Sequence, residues 1–569
     1  MSMSGSCNGP QPSPRWDISP PAPGEYLGAV TYPPLVAQLL YNRNVGPLQV
    51  PAFVDPDLFT TGSPFTLPGV SEAVDRIYRA IRAGETIGVY GDFDVDGVTS
   101  TAVIVESLEI LGAHAIAHIP DRFKDSHGLK ASGVKTLRDQ GASLMITCDC
   151  GISDLAEADK SAALGVDLLI TDHHAPLSVL PRAAAVVNAK RRDSRYGFTE
   201  FAGVGIAFKL MQALFHGDSR AGLLDRLLEL VALGTVADMV SLTGENRQFV
   251  QKGLKVLNSS KRPGVLALIR VSGLTPGSIS SGDISWALGP RINAAGRLDD
   301  ANMSLRLLMT DSEEEAESLA AELDATNSER QTLTSEVYQS VCERLEGQPE
   351  APLLMVEDER YPEGVIGLVA GRISKERYRP AVVVTVGEDI CRGSSRSIPE
   401  FDMASALEAC ADLLISFGGH PMAAGFALKT ENLPHLEARL IELAQERLSG
   451  VELGPRIRID AEVRLKELGG DTYRLMTELE PFGQDNPQPC FVSRGVEVVE
   501  CRSLRNHERW MSLRLRQDGV MWEAVDFRTL RRPEDVPGFI DMVFTLRERM
   551  WNGEEVLQAN VQDFAPSTL

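Results

Sequence analysis

The chain has 569 residues, 43% hydrophobic and 24% charged, an ordinary globular balance with room for several domains. No run reaches the roughly 18 apolar residues of a membrane span, and the Pro-, Ser- and Gly-rich N-terminus lacks a basic-then-apolar signal pattern. The net charge of −23 taken alone argues against nucleic acid. The charge is uneven, however: residues 311–350 hold 12 acidic and 2 basic side chains, so a basic groove elsewhere stays open. Eight cysteines without a CxxC pair predict reduced thiols, a cytoplasmic setting and no zinc site.

Residues 1–33 read as a disordered or loosely attached tail. From residue 72 the pattern alternates. "SEAVDRIYRAIRAG" has apolar residues at helical spacing; "TIGVYGD" reads as a buried strand, and "TSTAVIVESLEILG" as a helix. The strands "HAIAHIP", "SLMITCDC", "VDLLITDHH" and "AAAVVNA" follow, the middle ones separated by helices. This alternation predicts an α/β fold with a mainly parallel sheet covered on both faces. Residues 200–260 look helical, and 311–347 form a long acidic helix without internal Pro or Gly. Residues 351–445 return to αβ character. From about 456 the chain alternates like five or so short strands, which suit a small barrel such as an OB-fold.

Three strands of the first lobe end in acid: Asp92, Asp94 and Asp96 in "VYGDFDVDG", Asp149 in "TCDCG", and Asp172 with His173 and His174 in "TDHH". Any one of these aspartates alone would read as a turn or N-cap residue. Three consecutive strand ends plus a His pair instead point to a centre for hard-to-borderline divalent ions. Cys148 and Cys150 flank Asp149 and read as small buried residues facing away from it. Asp238 lies in an apolar, helix-like stretch. In the second lobe "CRGSSRSI" places Ser394, Ser395 and Arg396 after a strand, as a small-residue loop able to hold a phosphate. "FGGHPMAAGF" sets Gly418 and Gly419 before His420, with small residues opening a helix.

Together the ordered stretches "YGDFDVDGVTST", "IPDRF", "TCDCGI", "TDHH", "FAGVGIAFKL", "LGTVADMVSLTGENR", "GPRINAAGR", "GVIGLVAGRI", "GSSRSI", "GGHPMAAG" and "PFGQDNPQPCF" resemble the DHH phosphoesterase family, in particular its single-strand-specific exonucleases. The resemblance implies a DHH catalytic domain over 34–255, a helical connector over 256–350, the DHH-associated C-terminal lobe over 351–450 and an OB-fold over 451–569. It implies two manganese or magnesium ions on Asp94, Asp96, Asp149, His173 and Asp238, with Asp92 and Asp172 in support. It places His174 and His420 at the scissile group, Arg122, Ser394 and Arg396 on the 5′-terminal phosphate, and Arg291 along the strand path.

The implied activity is 5′-to-3′ hydrolysis of single-stranded DNA to mononucleotides in repair and recombination. The implied partners are a single-stranded-DNA-binding protein and a RecQ-type helicase, with no membrane. Two departures stand out. His127 occupies a position that is often Tyr in the family, where it would stack on a base, and Tyr361-Pro362 replace a Trp-His pair. Alternatives are a DHH phosphodiesterase of short oligonucleotides or cyclic dinucleotides, and a non-catalytic replication scaffold.

Overall fold

The computed structural model describes residues 13–122, 127–298, 300–346, 351–504, 507–529, 531–551 and 554–567. The chain forms two compact units. Strand β1 (Arg15–Ile18) belongs with the C-terminal segments and is taken up with them.

Residues 22–327 and 473–488 make the first unit. Its sheet contains β2 (Thr86–Gly91), β3 (His114–His118), β4 (Ala142–Cys148), β5 (Asp167–Thr171) and β6 (Ala185–Val187). All are parallel, in the order β3-β2-β4-β5-β6. Chain order reverses beside β2, so the sheet has its switch point there and opens a crevice beyond the carboxyl ends of β2 and β4. The registers align those ends. Gly91 pairs with Cys148, Cys148 with Thr171, and Thr171 with Val187. The next residue on each strand, Asp92, Asp149, Asp172 and Asn188, therefore leaves the sheet in one row.

Helix α1 (Val70–Ala83) buries Val70, Ala73, Val74, Ile77 and Ala80 at helical spacing and stops at Gly84, whose φ of 67° suits glycine. Helix α2 (Val95–Ile110) is buried nearly all round, because the sheet lies on one side and α3 (Gly203–Leu214) and α4 (Leu228–Ala237) on the other. Phe93, Val98, Val103, Leu144, Leu169, Phe208 and Leu230 share this core. Tyr90, Leu137, Met145 and Ile170 pack on the opposite face of the sheet. Cys148 belongs to the first cluster and Cys150 to the second, since the backbone turns between them. Both are buried thiols, yet they do not share the one face expected for them.

The acidic pattern forms α5 (Glu313–Leu345), a single 33-residue helix. The second unit holds residues up to 21, 328–472 and 489–569. Its mixed sheet has the order β10-β11-β9-β8-β7, from β7 (Leu354–Asp358), β8 (Ala381–Thr385), β9 (Ile390–Arg396), β10 (Leu414–His420) and β11 (Ala423–Lys429). Helix α6 (Glu363–Arg377) packs on β8 and β9. Two local expectations fail here. Ser394, Ser395 and Arg396 lie inside β9, not in a loop, because β8 and β11 both pair with them. Their amides are spent on the ladders and cannot cradle a phosphate. Gly418, Gly419 and His420 end a hairpin strand that turns at Pro421-Met422 into β11, and no helix opens there.

Strand β12 (Arg456–Ile459) pairs in parallel with β1, and Trp16 Nε1 donates to Asp563 Oδ2 at 2.8 Å. The tail expected over 1–33 is thus tied down from Arg15 by apolar and ladder contacts to residues far along the chain; residues 1–12 lie outside the described residues. Strands β13 (Ala461–Glu462), β14 (Cys490–Leu504), β15 (His507–Gln517), β16 (Val520–Asp526), β17 (Phe539–Trp551) and β18 (Glu554–Pro566) form a sheet that closes through β14 and β17. The barrel is that of an OB-fold, with strands longer than expected. Among the described residues Cys148, Cys150, Cys391, Cys410, Cys490 and Cys501 are free thiols.

Candidate metal centre

Each strand-end acid is placed by a local backbone device. Asp94 caps α2, its Oδ1 accepting the Gly97 N–H at 3.0 Å. Asp96, in the first turn of α2, accepts the Gly203 and Val204 N–H groups at 2.6 and 2.8 Å, so it caps α3 as well. Asp149 follows β4 with φ 61°, a left-handed conformation that aspartate tolerates better than most residues. Gly203 makes room for it: a Cβ there would lie 2.7–2.9 Å from the Asp149 carboxylate and its Cβ. Asp238 ends α4, and Met239 after it has φ 60°.

These devices bring the acids together with one imidazole. His173 Nδ1 lies 2.9 Å from the Phe201 carbonyl oxygen, so Nδ1 carries the proton and Nε2 presents its lone pair. That Nε2 is 3.1 Å from Asp149 Oδ1 and 3.7 Å from Asp238 Oδ2. Three overlapping groups have ligand atoms within 4.8 Å of one another: Asp96, His173 and Asp238; Asp149, His173 and His174; and Asp92, Asp94 and Asp149. Four atoms of this cluster are buried without a hydrogen-bond partner: Asp92 Oδ1, Asp149 Oδ1, His173 Nε2 and Asp238 Oδ2. Orphaned buried polar atoms are costly unless something fills the space between them. Oxygen donors with one imidazole fit manganese or magnesium.

The electrostatics agree. Burial, with the repulsion of neighbouring aspartates, pushes Asp96 up to about 7 and Asp238 up to about 9, and raises Asp149 well above the usual carboxylate range. Burial lowers His173 to about 3, which keeps the imidazole neutral and able to ligate. His174 behaves oppositely. Its hydrogen bond to Asp172 raises it to about 9.

The sequence-predicted residues separate into groups. Asp94, Asp96, Asp149, His173 and Asp238 converge. Asp172 has both oxygens taken up: Oδ1 accepts the His174 Nδ1–H and N–H, and Oδ2 the Ile152 N–H. Asp92 Oδ1 is buried without a hydrogen-bond partner, and Asp92 falls in a ligand group with Asp94 and Asp149. His127 Nδ1 sits 3.1 Å from Asp92 Oδ2, and its ring packs on Phe93 with centroids 4.3 Å apart. The Arg122 guanidinium covers the same Phe93 ring at 5.0 Å. Arg291 pairs with Asp324 at 2.8 Å. Ser394, Arg396 and His420 belong to the second unit, where Arg396 and His420 share one row of the sheet through Ala423.

Two orienting residues were not singled out from sequence. Asn293 Oδ1 accepts the Val95 N–H at 3.1 Å and braces the turn between Asp94 and Asp96. Asn188 Nδ2 donates to the His174 carbonyl at 2.9 Å. Asn293 lies inside the helix Gly289–Leu298 and Asn188 just past β6, and a short polar side chain in either place carries no signal in the sequence of what it holds.

Comparison with known proteins accords with this geometry. Residues 86–235 match the DHH family N-terminal domain, 350–446 the DHHA1 domain, and 459–563 the RecJ OB domain. The single-stranded-DNA-specific exonuclease RecJ of Bacillus subtilis is 36% identical, over 97% of this chain and 71% of its own. The RecJ of Salmonella typhimurium is 35% identical, over 88% of this chain and 91% of its own. The crystal structure of RecJ from Thermus thermophilus in complex with Mn2+ superposes with a TM-score of 0.84 at 30% identity, covering 98% of this chain and 80% of that one. With the three domain matches in chain order and relatives of this similarity along nearly its whole length, the chain belongs to the RecJ family of single-stranded-DNA-specific exonucleases.

Proposed function

We propose that this chain is a metal-dependent exonuclease that degrades single-stranded DNA from the 5′ end to 5′-mononucleotides, in DNA repair and recombination. The observation that carries this reading is the set of four buried, unpartnered ligand atoms, three just past adjoining strand ends and the fourth, on Asp238, at the end of α4. Asp94, Asp96, Asp149, His173 and Asp238 would hold two divalent ions, manganese or magnesium, with Asp92 grouped beside Asp94 and Asp149. Ions held there supply charge neutralisation at the scissile phosphate and a water nucleophile at neutral pH.

The chain's own groups do the rest. The Gly203 and Val204 amides fix both Asp96 oxygens, and the Phe201 carbonyl fixes the His173 tautomer. Asp172 keeps His174 protonated, so its imidazolium donates to a phosphate oxygen as negative charge builds. His420 is a second imidazole for the scissile group. Ser394 and Arg396 hold the 5′ phosphate through their side chains, and Arg122 contacts phosphate. Arg291 and His127 line the strand path.

The domain division 34–255, 256–350, 351–450 and 451–569 belongs to this reading, supported by the family matches. The barrel extends the track for single-stranded DNA by stacking and cationic contacts. Arg516 and Glu497 are paired at 2.6 Å and Arg514 and Glu523 at 3.4 Å, so these cations are partly spent within the barrel. A single-stranded-DNA-binding protein and a RecQ-type helicase are the proposed partners, since the reaction needs an unpaired strand, and the cytoplasm the proposed location. Among the described residues no helix is long and apolar enough to cross a membrane.

The test is digestion of single- and double-stranded DNA labelled at either end, with manganese or EDTA. The expected result is early release of 5′-labelled mononucleotide from single strands with manganese alone. Early release of the 3′ label, or activity in EDTA, overturns the reading.

A further inference from the structure

We infer that Gly367 is a positioning residue for recognition of the 5′ phosphate: its missing side chain sets the pose of the Arg396–Ser394 pair. The inference rests on the reading that this pair holds the phosphate. Ser394 and Arg396 are two apart on β9, so their side chains share a face. Helix α6 packs on that strand. A Cβ on Gly367 would lie 2.9 Å from Ser394 Oγ and 3.2 Å from Arg396 Nη2. Arg396 Nη1 meanwhile donates to the Ser395 carbonyl at 2.8 Å and lies 3.3 Å from Ser394 Oγ. The guanidinium is thus steadied by its own strand on one edge and by the bare helix surface on the other.

Glycine inside a helix is disfavoured relative to alanine, so its presence in the middle of α6 calls for a packing reason. The atoms that would have to give are the tips of two rotatable side chains, not backbone. A methyl at 367 therefore leaves sheet and helix in place and moves the anion-binding pair. Gly393 is the opposite case: a Cβ there would fall 2.1 Å from the Phe426 ring, and the fold itself would have to yield. Gly371, one turn along α6, is different again. A Cβ there meets Arg396 Cγ at 3.6 Å, an ordinary contact.

Bidentate recognition of phosphate by a planar fork tolerates little displacement. The experiment compares 5′-phosphorylated with 5′-hydroxyl single strands for wild type, Gly367→Ala, Gly371→Ala and Arg396→Ala, reading KM and kcat separately alongside manganese affinity and thermal melting. Gly367→Ala is expected to reduce the 5′-phosphate preference about tenfold or more. The loss should appear in KM for the phosphorylated strand, with manganese affinity unchanged and the melting temperature not lowered. Gly371→Ala should keep the wild-type preference. If Arg396→Ala removes the preference while Gly367→Ala keeps it, the inference falls and the phosphate reading stands. Equal losses in both glycine variants, or a Gly367→Ala protein that melts well below wild type, also overturn it. If Arg396→Ala keeps the preference, the underlying reading fails and the inference with it.

Discussion

His174 Nδ1 lies 2.8 Å from Asp172 Oδ1, and the same oxygen accepts the His174 backbone N–H at 3.0 Å. One buried carboxylate thus sets both the ring and the chain that carries it, half-exposed, beside a metal centre. Asp172→Asn keeps the shape and removes the charge. In the metal-free protein the His174 imidazole is expected to titrate near its ordinary value of about 6.5 instead of about 9. Nuclease activity should fall roughly 10–100-fold. NMR titration and steady-state kinetics check the two parts, and an unmoved titration would remove Asp172 from its place.

Asp149→Asn retains a residue suited to the left-handed backbone while replacing a ligand oxygen and its charge. Activity is expected to fall by about 100-fold or more, as removal of a primary ligand exceeds the usual loss of an outer partner. Manganese should raise the melting temperature of the wild type and not of the variant. Calorimetry with and without manganese decides it.

The metal-free protein carries a pH signature. Asp96 and Asp238 have folded-state values of about 7 and about 9, raised by burial and then by neighbouring aspartates. Their unfolded value is about 3.9, so the folded state binds more protons. The stability linked to them is complete below that value and is lost as pH rises through about 7 and about 9. The melting temperature in EDTA should therefore fall across this window, and the manganese-induced rise should grow, because binding displaces those protons. A manganese increment that stays flat with pH contradicts it.

Gly203 touches the centre without ligating. In Gly203→Ala the new methyl would meet the Asp149 carboxylate and Cβ at 2.7–2.9 Å. Manganese affinity is expected to drop roughly 10–100-fold with far-UV circular dichroism unchanged. Wild-type affinity would show that Asp149 can shift without cost.

Much of the centre was legible because parallel strands impose a simple rule. Successive strands point the same way, so the residues after "TIGVYG", "LMITC" and "LLIT" emerge on one edge whatever the loops do. The second lobe was less legible. "GSSRSI" reads as a small, polar loop, yet two neighbouring strands claim its amides. "GGHPMAAG" contains the small residues of a helix start, and only pairing with β9 makes it a hairpin.

By itself the sequence determined the alternating architecture, the acidic helix and the identity of the strand-end acids, because these follow from local periodicity and chain direction. Only the tertiary structure decided which oxygens are satisfied. Asp92 stands two residues from Asp94 in one loop, but its Oδ1 is buried without a partner, while the Asp94 Oδ1 is taken by a helix N–H. It likewise decided that Arg15–Ile18 is a strand, since its partner is Arg456–Ile459. Hydrogen-bond satisfaction and long-range pairing depend on which distant segment arrives, and no local pattern encodes that.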